Sequence, residues 1–543
     1  LRRQRSPVVM HWFVALVALV ALGSSKAHTE GAASRQWVVA PDTVRALSLA
    51  RSPQMSLGVS GAPGGRPARK GSLSSRLRSQ LARLGRIGGR TWRAPSPSGP
   101  SDRLGHGSDS SLRIGGSGRD ISSRLHLAAV MSGGGVSQAL KKDGTRKKRV
   151  LFLISDTGGG HRASAEAIQS ALDELYPGQL QCDIVDIWTQ HGGWPFNTCV
   201  KGYQFLAKRR FMWWLTWHYS VLWPTRTGTT LWAKSAGVVG RFRACLEKFE
   251  PDLVVSMHPL TQELPMEALK KMGGGKRRVP FCTVVTDLGS AHPHWFDKRV
   301  DFCFVPSEEL RRAARFRGLH DRQIRLYGLP IRSTFWQTPK SKVVTRRALG
   351  LNGWDTALVV GGGDGVGGLE AIIQALADEG RKRGIPTQIV AVCGRNAALE
   401  NRLKAKTWPS GVRVEVLGFI SQMSDYMAAA DVLVTKAGPG TIVEASARGL
   451  PIVLSSFLPG QEAGNVPYVV RNGFGAFRRR PENIARTVMD WIVDPIKMAD
   501  LSRSALAVAR PLATYQIADD IGAMIVGRNS QLMPRLDAVA AGN

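Results

Sequence analysis

Three times in this chain an unbroken apolar run stops at a glycine-rich turn and resumes with helical spacing. Residues 150–154 lead into Asp156–His161 (DTGGGH) and a helix over 163–175. Residues 357–360 lead into Gly361–Gly368 and a helix over 369–379, and residues 432–434 lead into a Gly-Pro-Gly turn and a helix carrying Glu444. A short apolar run without polar alternation reads as a strand buried on both faces, which requires a parallel sheet covered by helices. Strand, glycine turn and helix in that order form the opening unit of a doubly wound α/β domain.

Further strands and turns are expected at 183–188, 252–259, 281–296, 300–307 and 324–331, with helical stretches at 261–271 and 308–316 between them. A polar linker at about 330–342 precedes a second set of strand-bearing segments at 388–396, 412–436 and 451–454. A chain of 543 residues exceeds one ordinary domain. The expectation is therefore two Rossmann-like domains, 146–335 and 336–528, with a flexible tail at 529–543. Helices are expected over 481–528.

Charge sets the first 150 residues apart. They carry 26 Lys and Arg against 6 Asp and Glu, or +20 of the chain's +33. An apolar segment at 8–22 is too short to span a bilayer, which takes about 20 residues, and fits the h-region of a signal peptide. Met10 offers an alternative start. The stretch to about residue 125 is rich in Arg, Ser, Gly and Pro and poor in acid, the composition of an organelle transit peptide. Residues 1–130 read as a mostly disordered, two-step targeting region for a plastid bounded by extra membranes. A basic arm for nucleic acid is the competing reading, but no aromatic residue lies between Val38 and Thr91 to stack on bases.

The chemistry gathers at the glycine turns. Backbone N–H groups left unpaired at a helix N-terminus, together with the helix dipole, attract anions. The turns at 361–368 and 438–440 would face one sheet edge and together cradle a pyrophosphate. Neither has the GxxxxGK[ST] pattern of a P-loop. Gly363, Gly365 and Gly368 do form GxGxxG, but the next strand is followed by Gly394 and Arg395 rather than an acid, which leaves an NADP-dependent oxidoreductase as the alternative. Glu444 can accept from both hydroxyls of a ribose, and Gln461 with Glu462 can meet the hydroxyls of a sugar. His161, on the glycine turn of the other half, is the natural general base, since a neutral imidazole is suited to taking a proton near pH 7.

Two further patterns bear on partners. Eight aromatics lie between Tyr203 and Trp223, with Lys201, Lys208, Arg209 and Arg210 toward the N-terminal end. Tryptophan at headgroup level with basic residues nearby suits a membrane interface, the alternative being aromatic core packing. His292 and His294 resemble a metal pair, but no cysteine stands at ligand spacing and only Asp297 is close, so no metal site is expected. The six cysteines are scattered without a CxxC and read as reduced, buried thiols.

The motifs SDTGGGHRASAEAI (155–168), HPLTQELPMEALKK (258–271), VVTDLGSAHPHWF (284–296), VVGGGDGVGG (359–368) and TKAGPGTIVEASARGLPIVLSSFLPGQEAGNVPYVVRNGFGAF (435–477) resemble the monogalactosyldiacylglycerol synthases of plastids. The similarity spans about 148–525. More distantly the chain is similar to bacterial diacylglycerol glucosyltransferases and to the lipid-linked GlcNAc transferase of peptidoglycan synthesis. The resemblance implies a GT-B fold of two Rossmann-like domains facing a cleft, and transfer of galactose from UDP-galactose to diacylglycerol with inversion, without cofactor or obligatory metal. UDP-glucose as donor stays open. It implies His161 as base, the backbone near Phe419 for uracil, Glu444 for ribose, and Gln461 and Glu462 for galactose. The donor set then comprises Gly362, Gly363, Asp364, Gly365, Phe419, Lys436, Gly438, Gly440, Thr441, Glu444, Gln461 and Glu462. On the acceptor and membrane side it implies Gly160, Pro195, Trp213, Trp214, Trp217 and Trp295, with anionic lipids as activators, a peripheral place on the plastid envelope and no nucleic acid partner.

A reporter fused behind residues 1–130 is expected to leave the cytosol for an organelle, as seen by fluorescence microscopy; a reporter that stays in the cytosol would end the targeting reading.

Overall fold

The computed structural model describes residues 146–528 except 336, 338–340 and 362–367. The readings made for 1–130, for 529–543 and for Gly362, Gly363, Asp364 and Gly365 lie outside the described residues. What is described forms two six-stranded sheets, every neighbouring pair parallel.

The first sheet contains β1 (Lys148–Ile154), β2 (Leu180–Asp186), β3 (Leu253–Ser256), β4 (Phe281–Val284), β5 (Phe302–Val305) and β6 (Ile324–Leu326), in the order β2-β1-β3-β4-β5-β6. The second contains β7 (Thr356–Val360), β8 (Thr387–Val392), β9 (Val412–Leu417), β10 (Val432–Lys436), β11 (Ile452–Ser456) and β12 (Gly475–Phe477), in the order β12-β11-β10-β7-β8-β9. The apolar runs are unbroken because successive side chains enter different cores. Val150, Phe152 and Ile154 join one cluster while Leu151 and Leu153 join another. In β7, Leu358 and Val360 separate from Ala357 and Val359 in the same way.

Six helices matter below: α1 (Gly160–Leu175), α2 (Cys199–Ala207), α3 (Arg210–Val221), α4 (Trp223–Ser235), α5 (Pro439–Ala447) and α6 (Ala513–Ala523). Helix α1 starts earlier than its periodicity suggested, because Gly159 adopts φ 77° and turns the chain directly into the helix. His161 therefore sits in its first turn. The strand expected at 183–188 ends at Asp186, whose carboxylate accepts from the Thr189 N–H at 3.1 Å and starts a short helix at Ile187. Strand β12, three residues long, gave no expectation.

The helices expected over 481–528 are present, but the last of them crosses back. Tyr515, Ile517, Ala518 and Ile521 of α6 share a core with Val150, Phe152 and Ile168 of the first sheet's layer. Buried acids bind it there: the Tyr176 hydroxyl donates to Asp519 Oδ1 at 3.1 Å, and the Tyr327 hydroxyl to Asp520 Oδ2 at 2.9 Å. The expected division at 336–528 thus divides the chain by sequence but not by packing, since an apolar helix face does not declare which sheet will cover it.

Gly522 lets α6 lie against Tyr176, because a Cβ there would come 2.1 Å from the ring atom Cε2. Gly522→Ala gains about 0.5–1 kcal/mol of helix propensity but overpacks a filled core, which costs roughly 1–3 kcal/mol. A thermal melt of the variant is expected to show a lower Tm than the wild-type chain; an unchanged or raised Tm would mean that the ring yields freely.

Candidate active site

Both sheets reverse their strand order once, between β1 and β3 in the first and between β7 and β10 in the second. At such a switch point the connections leave in opposite directions and a crevice opens at the carboxyl ends of the strands. The first crevice is lined by the Asp156–His161 turn after β1 and by Met257 and His258 after β3. The second opens at the carboxyl ends of β7 and β10, beside the turn at Ala437–Gly440 after β10. Neither α1 nor α5 has a side-chain cap at its N-terminus, so the first-turn amides, including those of Gly440 and Thr441, face the crevices without a capping acceptor. Gly160 is exposed at the start of α1, and a Cβ there would touch nothing within 4 Å.

His161 is held tightly. Its Nδ1 lies 2.8 Å from the Thr286 hydroxyl, the His258 ring crosses it edge-on at 4.7 Å, and Trp295 lies 6.1 Å away. Burial pushes its pKa down to about 4, opposed by the Met257 backbone and by Asp156. The imidazole is therefore neutral at physiological pH, as expected, but it is a weaker base than the sequence suggested, since burial moves it away from neutrality. Asp156 itself is clamped by Arg162, with Nη2–Oδ2 at 2.6 Å.

Residues 286–290 run from the His161 ring to the seam, where Gly289 and Ser290 meet Gly464 and Asn465 of the second half. Thr286 touches His161, and Asp287 accepts from the Trp295 indole N–H at 2.7 Å. The Gly289 N–H donates to Asn465 Oδ1 at 2.8 Å, and the Gly464 N–H donates to Ser290 Oγ at 3.3 Å. A Cβ on Gly289 would sit 2.1 Å from the Gly464 carbonyl oxygen, so the two backbones touch only because both residues are glycine. Burial raises Asp287 to about 7, relieved by its bonds to Trp295 and the His292 backbone, while the Glu462 carboxylate across the seam pushes it further up.

On the second half, Glu444 projects from α5 beside Arg332 at 3.6 Å. Burial raises its pKa to about 7 despite the guanidinium. Lys436 pairs with Glu462, whose other oxygen accepts from the Leu458 N–H at 2.8 Å. Asn465 Nδ2 donates to the Ala437 carbonyl at 2.8 Å, tying the loop after β11 to the turn after β10. Gln461 carries a buried Oε1 with no hydrogen-bond partner, an acceptor aimed where a donor hydroxyl would satisfy it. Gly438 is buried, and Phe419 stands 67% exposed beyond β9 with the Arg395 guanidinium over its ring.

Residues 161–331 match the family model described as monogalactosyldiacylglycerol (MGDG) synthase, and 356–465 match the glycosyltransferase family 28 C-terminal domain. The chain is 41% identical over 401 residues to monogalactosyldiacylglycerol synthase 1, chloroplastic, of Arabidopsis thaliana, covering 73% of this chain and 74% of that one. It is 40% identical to the Spinacia oleracea synthase, covering 70% and 73% respectively. Among solved structures, MurG of Acinetobacter baumannii is 13% identical and superposes with a TM-score of 0.46 over 69% of this chain and 99% of its own. The chain belongs to the monogalactosyldiacylglycerol synthase family.

Membership in this synthase family overturns the oxidoreductase alternative, and Arg395 lies over Phe419 instead of waiting for a ribose phosphate. His292 accepts from the His294 N–H through Nδ1 at 3.2 Å and meets Ser220 Oγ through Nε2 at 3.1 Å, so both its nitrogens are engaged. Among the described residues, no group of three His, Cys, Asp or Glu is placed to hold a metal ion. All six cysteines are free; four are buried, while Cys182 and Cys199 are only partly so.

The tryptophan-rich segment divides between the two expected roles. Trp194, Phe211, Trp214, Leu215, Leu222 and Trp223 are 44–73% exposed, whereas Trp213 and Trp217 turn inward. No helix among the described residues is long and apolar enough to cross a membrane. Pro195 is half-buried in the loop before α2. Trp295, expected with the acceptor and membrane residues, is completely buried, 6.1 Å from the His161 ring, and so presents no surface to lipid in this structure. The residues that sequence reasoning left without a role are His258, Thr286, Asp287, Arg332 and Asn465. All but Arg332 stood in segments quoted for their family likeness, but the partners of His258, Thr286 and Asn465 come from distant segments.

His161→Ala is expected to lower kcat by about 10² to 10⁴ while leaving UDP affinity nearly unchanged. Because the neutral ring is the active form and its pKa lies at about 4, the acid limb of kcat/KM belongs near pH 4, with activity lost as pH falls through that value. A variant that loses UDP binding together with turnover would make the residue structural instead.

Proposed function

We propose that this chain transfers galactose from UDP-galactose to the free hydroxyl of 1,2-diacylglycerol at a plastid membrane surface, inverting the anomeric carbon. Glycosyl transfer that makes monogalactosyldiacylglycerol follows from its family; the donor, the stereochemistry and the residue roles are the added reading. The observation that carries it is the glycine-to-glycine seam at Gly289 and Gly464, which sets Thr286 and His161 on one side and Gln461, Glu462 and Asn465 on the other.

His161 takes the proton of the glycerol hydroxyl while that oxygen bonds to the anomeric carbon. The bond from that carbon to the β-phosphate oxygen breaks, and its electron pair leaves on the UDP. Amides at the start of α5, with Lys436 nearby, face the charge that develops there, a preorganised role. Glu444 receives the ribose hydroxyls, displacing its contact with Arg332, and Phe419 borders the uracil. Gln461 offers its unpaired carbonyl to a sugar hydroxyl, with Glu462 beside it. Attack opposite the departing UDP leaves the new bond inverted.

The exposed aromatics of α3 and α4, with exposed Lys201, Lys208 and Arg209, support docking on an anionic membrane surface. A cavity of about 400 Å³ between α4 and the His294 loop, lined by Arg226, Thr227, Thr230, Lys234 and Glu263 among others, supports an anionic lipid as activator. The chloroplastic relatives, together with the composition of residues 1–130, support a peripheral place on the plastid envelope.

The test is one assay of the full chain with labelled UDP-galactose or UDP-glucose and diacylglycerol vesicles, with and without anionic lipid. Galactose transfer giving an inverted product, stimulated by the anionic lipid, is expected. Preference for glucose would make the chain a diacylglycerol glucosyltransferase, and vesicle binding without turnover would reduce it to a lipid-binding module.

A further inference from the structure

Helix α3 is apolar on two opposite faces. Phe211, Trp214, Leu215 and Leu222 recur at helical spacing along one side and are exposed, while Trp213, Trp217 and Ser220 follow the other side inward. The inward side meets the second half of the molecule at Gly460. Gly460 in the loop after β11 has φ 80°, and a Cβ built there would lie 2.5 Å from Cδ2 and Cε3 of Trp217. The indole thus rests directly on the Gly460 backbone, immediately before Gln461 and Glu462. Both the left-handed backbone and the close approach of the ring require glycine at that position.

Trp217 is itself fixed from behind. His294 N–H donates to His292 Nδ1, which leaves the proton of the neutral imidazole on Nε2, 3.1 Å from Ser220 Oγ. The Ser220 hydroxyl in turn donates to the Trp217 carbonyl at 2.7 Å. This chain ties the backbone of α3 to the loop that leads into Trp295, under His161. One helix therefore touches the loop beneath the base-bearing turn on one side and the sugar-facing loop on the other.

We propose that Trp217 is a positioning residue for the donor: its indole holds the Gly460–Glu462 turn in the conformation that presents Gln461 and Glu462 to the sugar. This assigns to the donor side a tryptophan expected with the membrane residues, and it rests on the donor reading given above. The three atoms nearest a Cβ at Gly460 all belong to the Trp217 ring, so removing the ring frees φ and ψ there and lets Gln461 drift. Displacement of a contact group by about 1 Å costs up to roughly 100-fold.

The experiment compares the full-length wild type, Trp217→Ala, Trp217→Phe and Gly460→Ala in three measurements: KM for UDP-galactose at saturating diacylglycerol, KM for diacylglycerol, and co-sedimentation with phosphatidylglycerol-containing vesicles. Trp217→Ala and Gly460→Ala are expected to raise the donor KM about tenfold or more, with vesicle binding unchanged, and Trp217→Phe to restore most of the loss. Gly460→Ala reads the same contact from the opposite side should Trp217→Ala fail to fold. A donor KM that stays within twofold in both alanine variants, or a defect confined to vesicle binding or the diacylglycerol KM, overturns the proposal while leaving the transferase reading intact. A wild-type chain without UDP-galactose turnover overturns both.

Discussion

The candidate site takes its shape from two backbones being allowed to touch. Gly289 follows the first sheet's fourth strand and Gly464 follows the second sheet's fifth, and neither has room for a single carbon more. Side-chain contacts between two halves can slide or rearrange, whereas a peptide-on-peptide approach is secured by van der Waals exclusion and by directed hydrogen bonds. Asn465 supplies the direction: its Oδ1 accepts from Gly289 and its Nδ2 donates to Ala437, so one buried amide links the acceptor-side seam to the turn at the start of α5. An unsatisfied amide at this depth would cost roughly 1–3 kcal/mol, which makes the bonded arrangement the one the cleft returns to.

The electrostatics follow from that closeness. Asp287 and Glu462 are carboxyls on opposite sides of the seam, and each is answered locally, Asp287 by the Trp295 indole and Glu462 by Lys436 and the Leu458 amide. Because burial and Glu462 both favour the neutral acid, Asp287 is raised to about 7, at the edge of the physiological range. Glu444, buried beside Arg332, reaches a similar value for the first of these reasons. A carboxyl near its titration point donates or accepts according to what faces it, which suits a pocket built to meet hydroxyls, groups that do both.

How much of this was legible in the sequence depends on the distance over which each feature is decided. The strand–turn–helix units are local, and the apolar runs at 150–154, 357–360 and 432–434 name their strands because alternate residues enter separate cores. His161 and Glu444 drew attention because they follow glycine turns, and Gln461 and Glu462 because they follow an apolar strand; the roles given to them are part of the proposal. What escaped were pairings between segments far apart in sequence: Thr286 with His161, Arg332 with Glu444, Gly289 with Gly464, and α6 with the first sheet. Trp295 shows the limit from the other side. Its neighbourhood carries exposed aromatics elsewhere, but an acid eight residues upstream captured its N–H and drew the whole ring inside.

The low basicity of His161 is consistent with the rest of the design rather than opposed to it. In the proposed reaction, a ring with a pKa well below neutrality is wholly in its proton-accepting form before substrate arrives, at the cost of driving force for the transfer. Burial beside His258 and Trp295 keeps the ring neutral, and the groups that would stabilise its cation, Asp156 and the Met257 backbone, are already oriented. Under the proposed role their help is felt chiefly when charge forms on the ring, which offsets part of that cost. The same logic explains why Arg162 is locked onto Asp156: an unclamped carboxylate so close would raise the pKa of the ring in the resting enzyme and undo the neutrality that burial supplies.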